Sequence, residues 1–119
     1  MNYFWMGVYL VNFKSNEGGE LNGKHYAIIL SKKTSPNKTL VVIPLTSKKK
    51  GKKYRGGITI DCLKYQDNPS CEKAFAMVNK IREIDTNRIL NGPIYMLDEE
   101  DVIKLKKSIL NLSLIHISE

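Results

Sequence analysis

Two segments that each contain an apolar run decide the fold: Lys24-His25-Tyr26-Ala27-Ile28-Ile29-Leu30 and Leu40-Val41-Val42-Ile43-Pro44-Leu45. Both are rich in the β-branched residues that favour strands. Between them lie Ser35, Pro36 and Asn37, which are typical of turns. The pattern predicts a hairpin of two strands. Continuous apolar runs are typical of strands covered on both faces, as in a small closed barrel or a sheet beneath a helix.

Further strand signals lie on either side of this hairpin. The segment from Gly7 to Phe13 is rich in Val, Tyr and Leu, and a polar stretch with two glycines follows it. The segment Ile58 to Asp61 alternates apolar and polar residues, as a half-buried strand does. The segment Lys73 to Ile84 predicts one longer extended segment, with a helix as the competing interpretation.

The C-terminal part of the chain predicts a helix. Asp98 is suited to cap its N-terminus, and the acidic residues 99–101 complement the positive end of the helix dipole. Helical spacing places one apolar face toward the sheet, formed by Val102, Leu105, Ile109 and Leu110. Short strands followed by one helix predict an α+β domain, built as a small barrel-like antiparallel sheet.

The composition bounds the class of protein. The chain has 119 residues, of which 42% are apolar, enough for one domain with one core. No apolar run approaches the roughly 18 residues of a membrane-spanning helix, so we expect no membrane association. The N-terminus lacks a basic lead and a cleavage site typical of a secretory signal, which predicts a cytoplasmic protein.

The last residues differ in character from the helix before them. Residues 112–119 lose the charged face, and they resemble the translation of a transposon adapter used in DNA sequencing. We therefore predict a single domain over residues 1–111, followed by a non-native read-through tail that gives His116 no functional role. Resequencing the source locus tests this, and a natural stop codon directly after Glu119 without adapter sequence would contradict it.

The charge of +7 is concentrated in one segment. The basic segment, residues 48–55, contains Lys48, Lys49, Lys50, Lys52, Lys53 and Arg55. Like charges this dense favour a polyanionic partner, and nucleic acid is the first candidate. By contrast, Cys62 and Cys71 have neither a metal-ligand spacing nor a disulfide framework, and they are predicted to be reduced, unremarkable thiols.

Few residues are suited to catalysis. With His116 set aside, His25 is the only histidine, and no phosphate loop or nucleophile elbow is present, so we expect neither a metal nor a cofactor. Two short segments remain, Glu20 to His25 and Pro44 to Lys48. Cleaving RNA without metal needs a base for the 2′-hydroxyl, an acid for the departing 5′-oxygen and donors for the phosphate, which Glu, His, Thr and Lys supply.

At these segments the chain resembles the MazF/PemK family of toxin endoribonucleases from type II toxin–antitoxin modules. The resemblance extends from Gly7 to about Leu110. Four stretches in register carry it: Gly7-Val8-Tyr9-Leu10-Val11-Asn12-Phe13, Gly19-Glu20-Leu21-Asn22-Gly23-Lys24-His25-Tyr26-Ala27-Ile28-Ile29-Leu30-Ser31, Val42-Ile43-Pro44-Leu45-Thr46-Ser47 and Lys80-Ile81-Arg82-Glu83-Ile84-Asp85-Thr86-Asn87-Arg88-Ile89. It implies a homodimer of SH3-like antiparallel barrels that cleaves single-stranded RNA without metal, leaving a 2′,3′-cyclic phosphate and a 5′-hydroxyl, and a cognate antitoxin, which we expect to be acidic.

The resemblance also implies roles for single residues. Glu20 matches the acidic position that serves as general base, and Thr46 matches the Thr that binds the scissile phosphate, with Ser47 beside it. The family usually has Arg-Pro where this chain has His25-Tyr26, and that Arg is the acid and phosphate stabiliser. Imidazole is a better proton donor than guanidinium, so His25 is our candidate acid. The change from Arg to His gives up the bidentate phosphate contact that a guanidinium makes.

The remaining substrate-binding candidates are basic. They are Lys24, Lys48, Lys80 and Arg82, and a period of two predicts that Lys80 and Arg82 share one face of the extended segment. Two other functions remain open at this point. One is a noncatalytic RNA-binding module of the same fold, and the other is a gyrase poison with the related CcdB-like fold.

Overall fold

The computed structural model describes residues 3–14 and 21–118, with side chains as far as Leu112. Within these ranges seven strands form one curled antiparallel sheet, a half-barrel against which a single long helix packs. The strands are β1 (Gly7–Asn12), β2 (Lys24–Ile29), β3 (Thr39–Ser47), β4 (Ile58–Asp61), β5 (Lys73–Ala76), β6 (Arg82–Asp85) and β7 (Tyr95–Met96), and the helix is α1 (Glu99–Ser118). The predicted α+β class, with a barrel-like antiparallel sheet and a C-terminal helix, is confirmed.

Strand β3 is the centre of the sheet, whose order is β4-β5-β3-β2-β1-β7. The predicted hairpin is confirmed, because β2 and β3 pair antiparallel from Ile29↔Val42 to Ala27↔Pro44. On its other edge β3 pairs first with β6 and then with β5. Strands β5 and β6 therefore lie end to end along one edge of β3, and the sheet curls around this shared strand.

The segment Lys73 to Ile84 is not one extended strand, so that prediction is wrong. A 3₁₀ turn at Val78–Lys80 separates β5 from β6. The reason lies opposite the break, where the Met77 N–H donates to the Pro44 carbonyl at 2.9 Å. Pro44 has no N–H with which to return that bond, so the ladder is interrupted there. The buried Val78 side chain then fills the core.

Helix α1 begins as predicted, because the Asp98 carboxylate accepts the Asp101 N–H at 2.9 Å. Its packed face is largely as predicted: Leu105 is fully buried, and Val102, Ile109 and Leu112 pack against the same core. Leu110 was predicted on this face and is instead 58% exposed. Its offset of five residues from Leu105 turns it well away from the sheet.

A hydrogen-bonded cluster fixes the start of α1 against the chain that follows β4. The Tyr65 hydroxyl donates to the buried Asp101 carboxylate and accepts the Asp98 N–H. The Lys64 ammonium lies 2.6 Å from the Asp98 carboxylate. Burial and the Asp101 carboxylate both raise the pKa of Tyr65, so its phenol keeps the proton that it donates. The cluster ties the helix to the sheet through side chains rather than backbone pairing.

Helix α1 runs through Ser118, across the boundary that we predicted at residue 112. The non-native origin of residues 112–119 stays a prediction, and the His116 side chain lies outside the part that the structure describes. Among residues 3–14 and 21–118, no helix has the length and apolarity needed to cross a bilayer.

Replacing Leu105 by Ala tests the packing of α1. We expect Leu105→Ala to lower the free energy of unfolding by about 2–5 kcal/mol, because it empties a fully buried site. Leu110→Ala is the matched control and should change it by less than about 0.5 kcal/mol, since that side chain is exposed. Urea unfolding measures both, and equal losses would contradict the observed orientation of the helix.

Asp98 should make stability depend on pH. The hydrogen bond from Lys64, followed by that from the Asp101 backbone, lowers the pKa of Asp98 from its usual 3.8. A carboxyl with a depressed pKa stabilises the fold above its unfolded pKa, and this contribution is lost as the pH falls through the folded value. Asp98→Ala should therefore be less stable than the wild type at neutral pH, by a margin that shrinks below pH 3.8.

Asp67→Ala is the control for this measurement, because Asp67 is exposed and makes no side-chain hydrogen bond or ion pair with the described residues. Urea unfolding at a series of pH values gives the difference in free energy of unfolding between each variant and the wild type. A margin for Asp98→Ala that is constant from neutral to acidic pH would contradict the assigned role of its carboxylate.

Candidate active site

A cavity opens where β2 and β3 separate. Their ladder ends at Ala27↔Pro44, after which each strand stays with its other neighbour. Strand β2 goes on pairing with β1 as far as Asn12↔Lys24, and β3 goes on pairing with β5 as far as Ser47↔Ala74. The two strand ends therefore diverge, and the gap between them forms a cavity of about 380 Å³.

Four of the predicted site residues line this cavity together. Lys24 and His25 come from the start of β2, and Thr46 and Ser47 come from the end of β3. These residues are 21 to 23 positions apart in the sequence, and the separation of the strands places both strand ends beside one cavity. The structure thus brings together the predicted acid His25, the two hydroxyls of Thr46 and Ser47, and the substrate-binding candidate Lys24.

The His25 ring has a defined orientation. Its Nε2 lies 2.9 Å from the Asn22 carbonyl oxygen, and its edge meets the Phe13 ring with the centroids 6.2 Å apart. A carbonyl only accepts, so this hydrogen bond assigns the proton to Nε2. Nδ1 is then the nitrogen that can exchange a proton with a substrate. The ring is half-buried, and His25 is one of the residues that line the cavity.

Arg82 and Lys80 are arranged differently from the prediction. Lys80 ends the 3₁₀ turn and Arg82 starts β6, so they do not share one face of a strand. The Arg82 guanidinium instead lies 5.5 Å from the centre of the Phe13 ring, the ring that His25 also contacts. Neither Lys80 nor Arg82 lines the cavity. Arg82 is adjacent to the site through one buried aromatic ring.

Lys48 and Glu20 complete the set of predicted residues. The Lys48 ammonium donates to the Thr59 hydroxyl at 2.8 Å and does not line the cavity, whereas the next residue, Lys49, does. The basic segment therefore begins at the rim. It is held there partly by Tyr54, whose hydroxyl accepts the Lys49 N–H at 2.8 Å. Glu20 lies outside the described residues, and its role as general base stays a prediction.

The far wall of the cavity was not found from the sequence. It is formed by Cys62, Gln66, Ser70, Cys71 and Tyr95, which come from the segment after β4 and from β7. The Tyr95 ring stacks on Tyr65 with centroids 4.5 Å apart. Burial raises the pKa of Tyr95, so its phenol is a neutral hydrogen-bond donor. No sequence spacing indicated these residues, because only the curl of the sheet places them here.

The two cysteines are neighbours and are free thiols. Burial, followed by the adjacent Cys71 thiol, raises the pKa of Cys62 to about 11. Cys62 is therefore protonated at neutral pH and is a poor nucleophile by itself. Among the described residues, no three His, Cys, Asp or Glu side chains lie close enough together to hold a metal ion.

Comparison with known proteins agrees with this architecture. A sequence model of the PemK-like, MazF-like toxins of type II toxin–antitoxin systems matches residues 6–113. The chain belongs to this family. The resemblance seen in the four sequence stretches is confirmed, and the curled antiparallel sheet with its C-terminal helix is consistent with the PemK/MazF fold. Membership of this type II toxin family implies that the protein has an antitoxin as its partner. A search of curated proteins found no match to this chain.

Proposed function

We propose that the protein is a toxin-type endoribonuclease that cleaves single-stranded RNA at a short sequence, without a metal ion or other cofactor. The observation that carries this proposal is the convergence of His25, Thr46, Ser47 and Lys24 on the cavity between β2 and β3. The cavity lies in a chain of the PemK/MazF family, and the basic segment begins at its rim. In the proposed reaction the RNA 2′-oxygen attacks the adjacent phosphorus, leaving a 2′,3′-cyclic phosphate and a 5′-hydroxyl.

His25 is the proposed general acid. The hydrogen bond from Nε2 to the Asn22 carbonyl orients the ring, and the protonated Nδ1 donates its proton to the departing 5′-oxygen. An alkoxide is a poor leaving group, so this transfer is needed as the bond from phosphorus to the 5′-oxygen breaks.

The phosphate is the proposed ligand of the β3 end. The Thr46 and Ser47 hydroxyls are donors to its nonbridging oxygens, and the Lys24 ammonium offsets the charge that builds up during the attack. Fixed donors aimed at developing charge are the usual source of rate enhancement when the substrate carries its own nucleophile. We propose Glu20 as the base that takes the 2′-hydroxyl proton.

The basic residues outside the cavity are proposed to bind the flanking RNA. The basic segment, which includes Lys48, extends from the rim, Lys80 carries further positive charge, and Arg82 lies beside the Phe13 ring. Single-stranded RNA is attracted by such a surface through its phosphates. The same charge supports the proposal that the antitoxin is acidic, since an anionic segment would compete with RNA for it. By analogy with the family, we propose a cytoplasmic homodimer.

Cleavage of a long single-stranded RNA in EDTA tests the proposed chemistry. The wild type should give discrete cuts with 5′-hydroxyl ends. His25→Ala and Thr46→Ala should each lower kcat/KM by about 10²–10⁴-fold, the usual range for loss of a general acid or a positioned phosphate donor. Thr34→Ala is the matched control for Thr46, since Thr34 is exposed in the loop between β2 and β3 and does not line the cavity.

A second substrate isolates the role of His25. When sulfur replaces the bridging 5′-oxygen at the mapped cleavage site, the leaving thiolate needs no proton, so His25→Ala should recover most of its lost rate while Thr46→Ala should not. If His25→Ala lowers the cleavage rate equally on both substrates, His25 is not the acid. RNA that binds the wild type and stays intact would favour the noncatalytic binding module, and no RNA binding at all would favour the gyrase poison.

A further inference from the structure

Two cysteines lie side by side on the far wall of the cavity. Cys62 directly follows β4, and Cys71 lies two positions before β5. The antiparallel pairing of these strands brings the two positions together, because the Cys62 N–H donates to the Glu72 carbonyl at 2.9 Å. Both cysteines line the cavity. Cysteines that strand pairing brings this close need little backbone movement to become a disulfide.

The chain between the cysteines forms part of the cavity wall. Gln66 and Ser70 line the cavity, and Tyr65 anchors the segment to the start of α1. The chain after Cys71 is hydrogen-bonded to the end of β3 that carries Thr46 and Ser47. The Lys48 N–H donates to the Lys73 carbonyl at 2.9 Å, and Ala74 pairs with Ser47. A covalent bond at Cys71 would therefore act on the strand that positions Thr46 and Ser47.

The two thiols differ in access to solvent. Cys62 is 4% exposed, whereas Cys71 is only half-buried. A dissolved reagent thus meets Cys71 first, and Cys62 is placed to attack Cys71 afterwards. This is the arrangement of an exposed attacking thiol with a resolving thiol beside it, which is how reversible disulfides form inside cells.

We propose that Cys62 and Cys71 form a reversible intramolecular disulfide, and that its formation slows RNA cleavage by constraining the cavity wall. The second part of this proposal rests on the proposed function, and the first part does not. The oxidant belongs to the class of low-molecular-weight disulfides, such as glutathione disulfide.

Two thiol–disulfide exchanges complete the reaction. The Cys71 thiolate attacks one sulfur of the oxidant, which forms a mixed disulfide and expels one thiolate. The Cys62 thiol then loses its proton and attacks the Cys71 sulfur, which breaks the mixed bond and expels the second thiolate. The two cysteine protons end on the two released thiols. The protein dithiol is oxidised by two electrons, and the external disulfide is reduced by the same two.

The disulfide is tested by mass, independently of any activity. The reduced full chain is equilibrated in buffers of increasing glutathione disulfide to glutathione ratio, quenched with an alkylating reagent and mapped by peptide mass. We expect the peptides of Cys62 and Cys71 to become linked, with the bond reversed by dithiothreitol. Stable addition of glutathione to Cys71 beside an alkylated Cys62, or no reaction at either cysteine, would overturn the proposal. Cys62→Ser should retain the mixed disulfide at Cys71.

Cleavage is then measured on the same samples. Oxidation should lower kcat/KM by at least about tenfold, since a displacement of about 1 Å at a reacting group costs up to about 100-fold. Dithiothreitol should restore the rate, and Cys71→Ser should show the same rate with and without oxidant. If the disulfide-linked protein cleaves RNA as fast as the dithiol form, the regulatory part of the proposal is wrong. Absence of cleavage in both states would contradict the proposed function instead, while the mass data alone decide whether the disulfide exists.

Discussion

Strand β3 is hydrogen-bonded along both edges, and the rest of the structure depends on how it divides those bonds among three other strands. One edge pairs with β6 and then with β5, and the other pairs with β2 only as far as Pro44. Beyond Pro44 the two strands of the hairpin no longer pair with each other, and β2 stays with β1 while β3 stays with β5. The sheet curls as a result, and the cavity is the space that this separation leaves.

The chemistry of the cavity follows from which residues stand at the two diverging strand ends. A histidine and a lysine lie at the start of β2, and two hydroxyls lie at the end of β3. A strand end retains a fixed backbone, which holds these residues in place beside the cavity, and in our proposal their donors stabilise the charge that develops on the phosphate. The far wall is fixed by other means, through the cluster of Tyr65, Asp98 and Asp101 that links it to α1.

Much of this architecture could be predicted from local patterns. The hairpin, the N-cap at Asp98 and the burial of Leu105 follow from turn residues, capping chemistry and helical spacing, which are properties of short segments. The break at Val78–Lys80 was missed because its cause, the absent N–H of Pro44, lies more than thirty positions away in the chain. The error at Leu110 arose because it directly follows Ile109, and one helical position turns a side chain by about 100° away from the packed face.

The candidate site could likewise be predicted only in part from the sequence. Residues on the hairpin itself, such as His25 and Thr46, were named as candidates because four stretches in register resemble one family, and the structure places both at the cavity. Cys62, Cys71 and Tyr95 were not predicted to line the cavity, since they come from segments that only the curl of the sheet brings there. The placement of Arg82 against Phe13 also depends on a contact between distant strands, which strand periodicity does not reveal.

The central claim is that RNA binds where β2 and β3 separate. The most direct test is to add a single-stranded RNA that lacks the 2′-hydroxyl at the cleaved nucleotide to the ¹⁵N-labelled protein and to follow the backbone amide shifts. Our account predicts that the largest shifts occur at residues 24–26 and 45–47 and in the basic segment. Shifts confined to the exposed face of α1, with residues 24–26 and 45–47 unchanged, would contradict it.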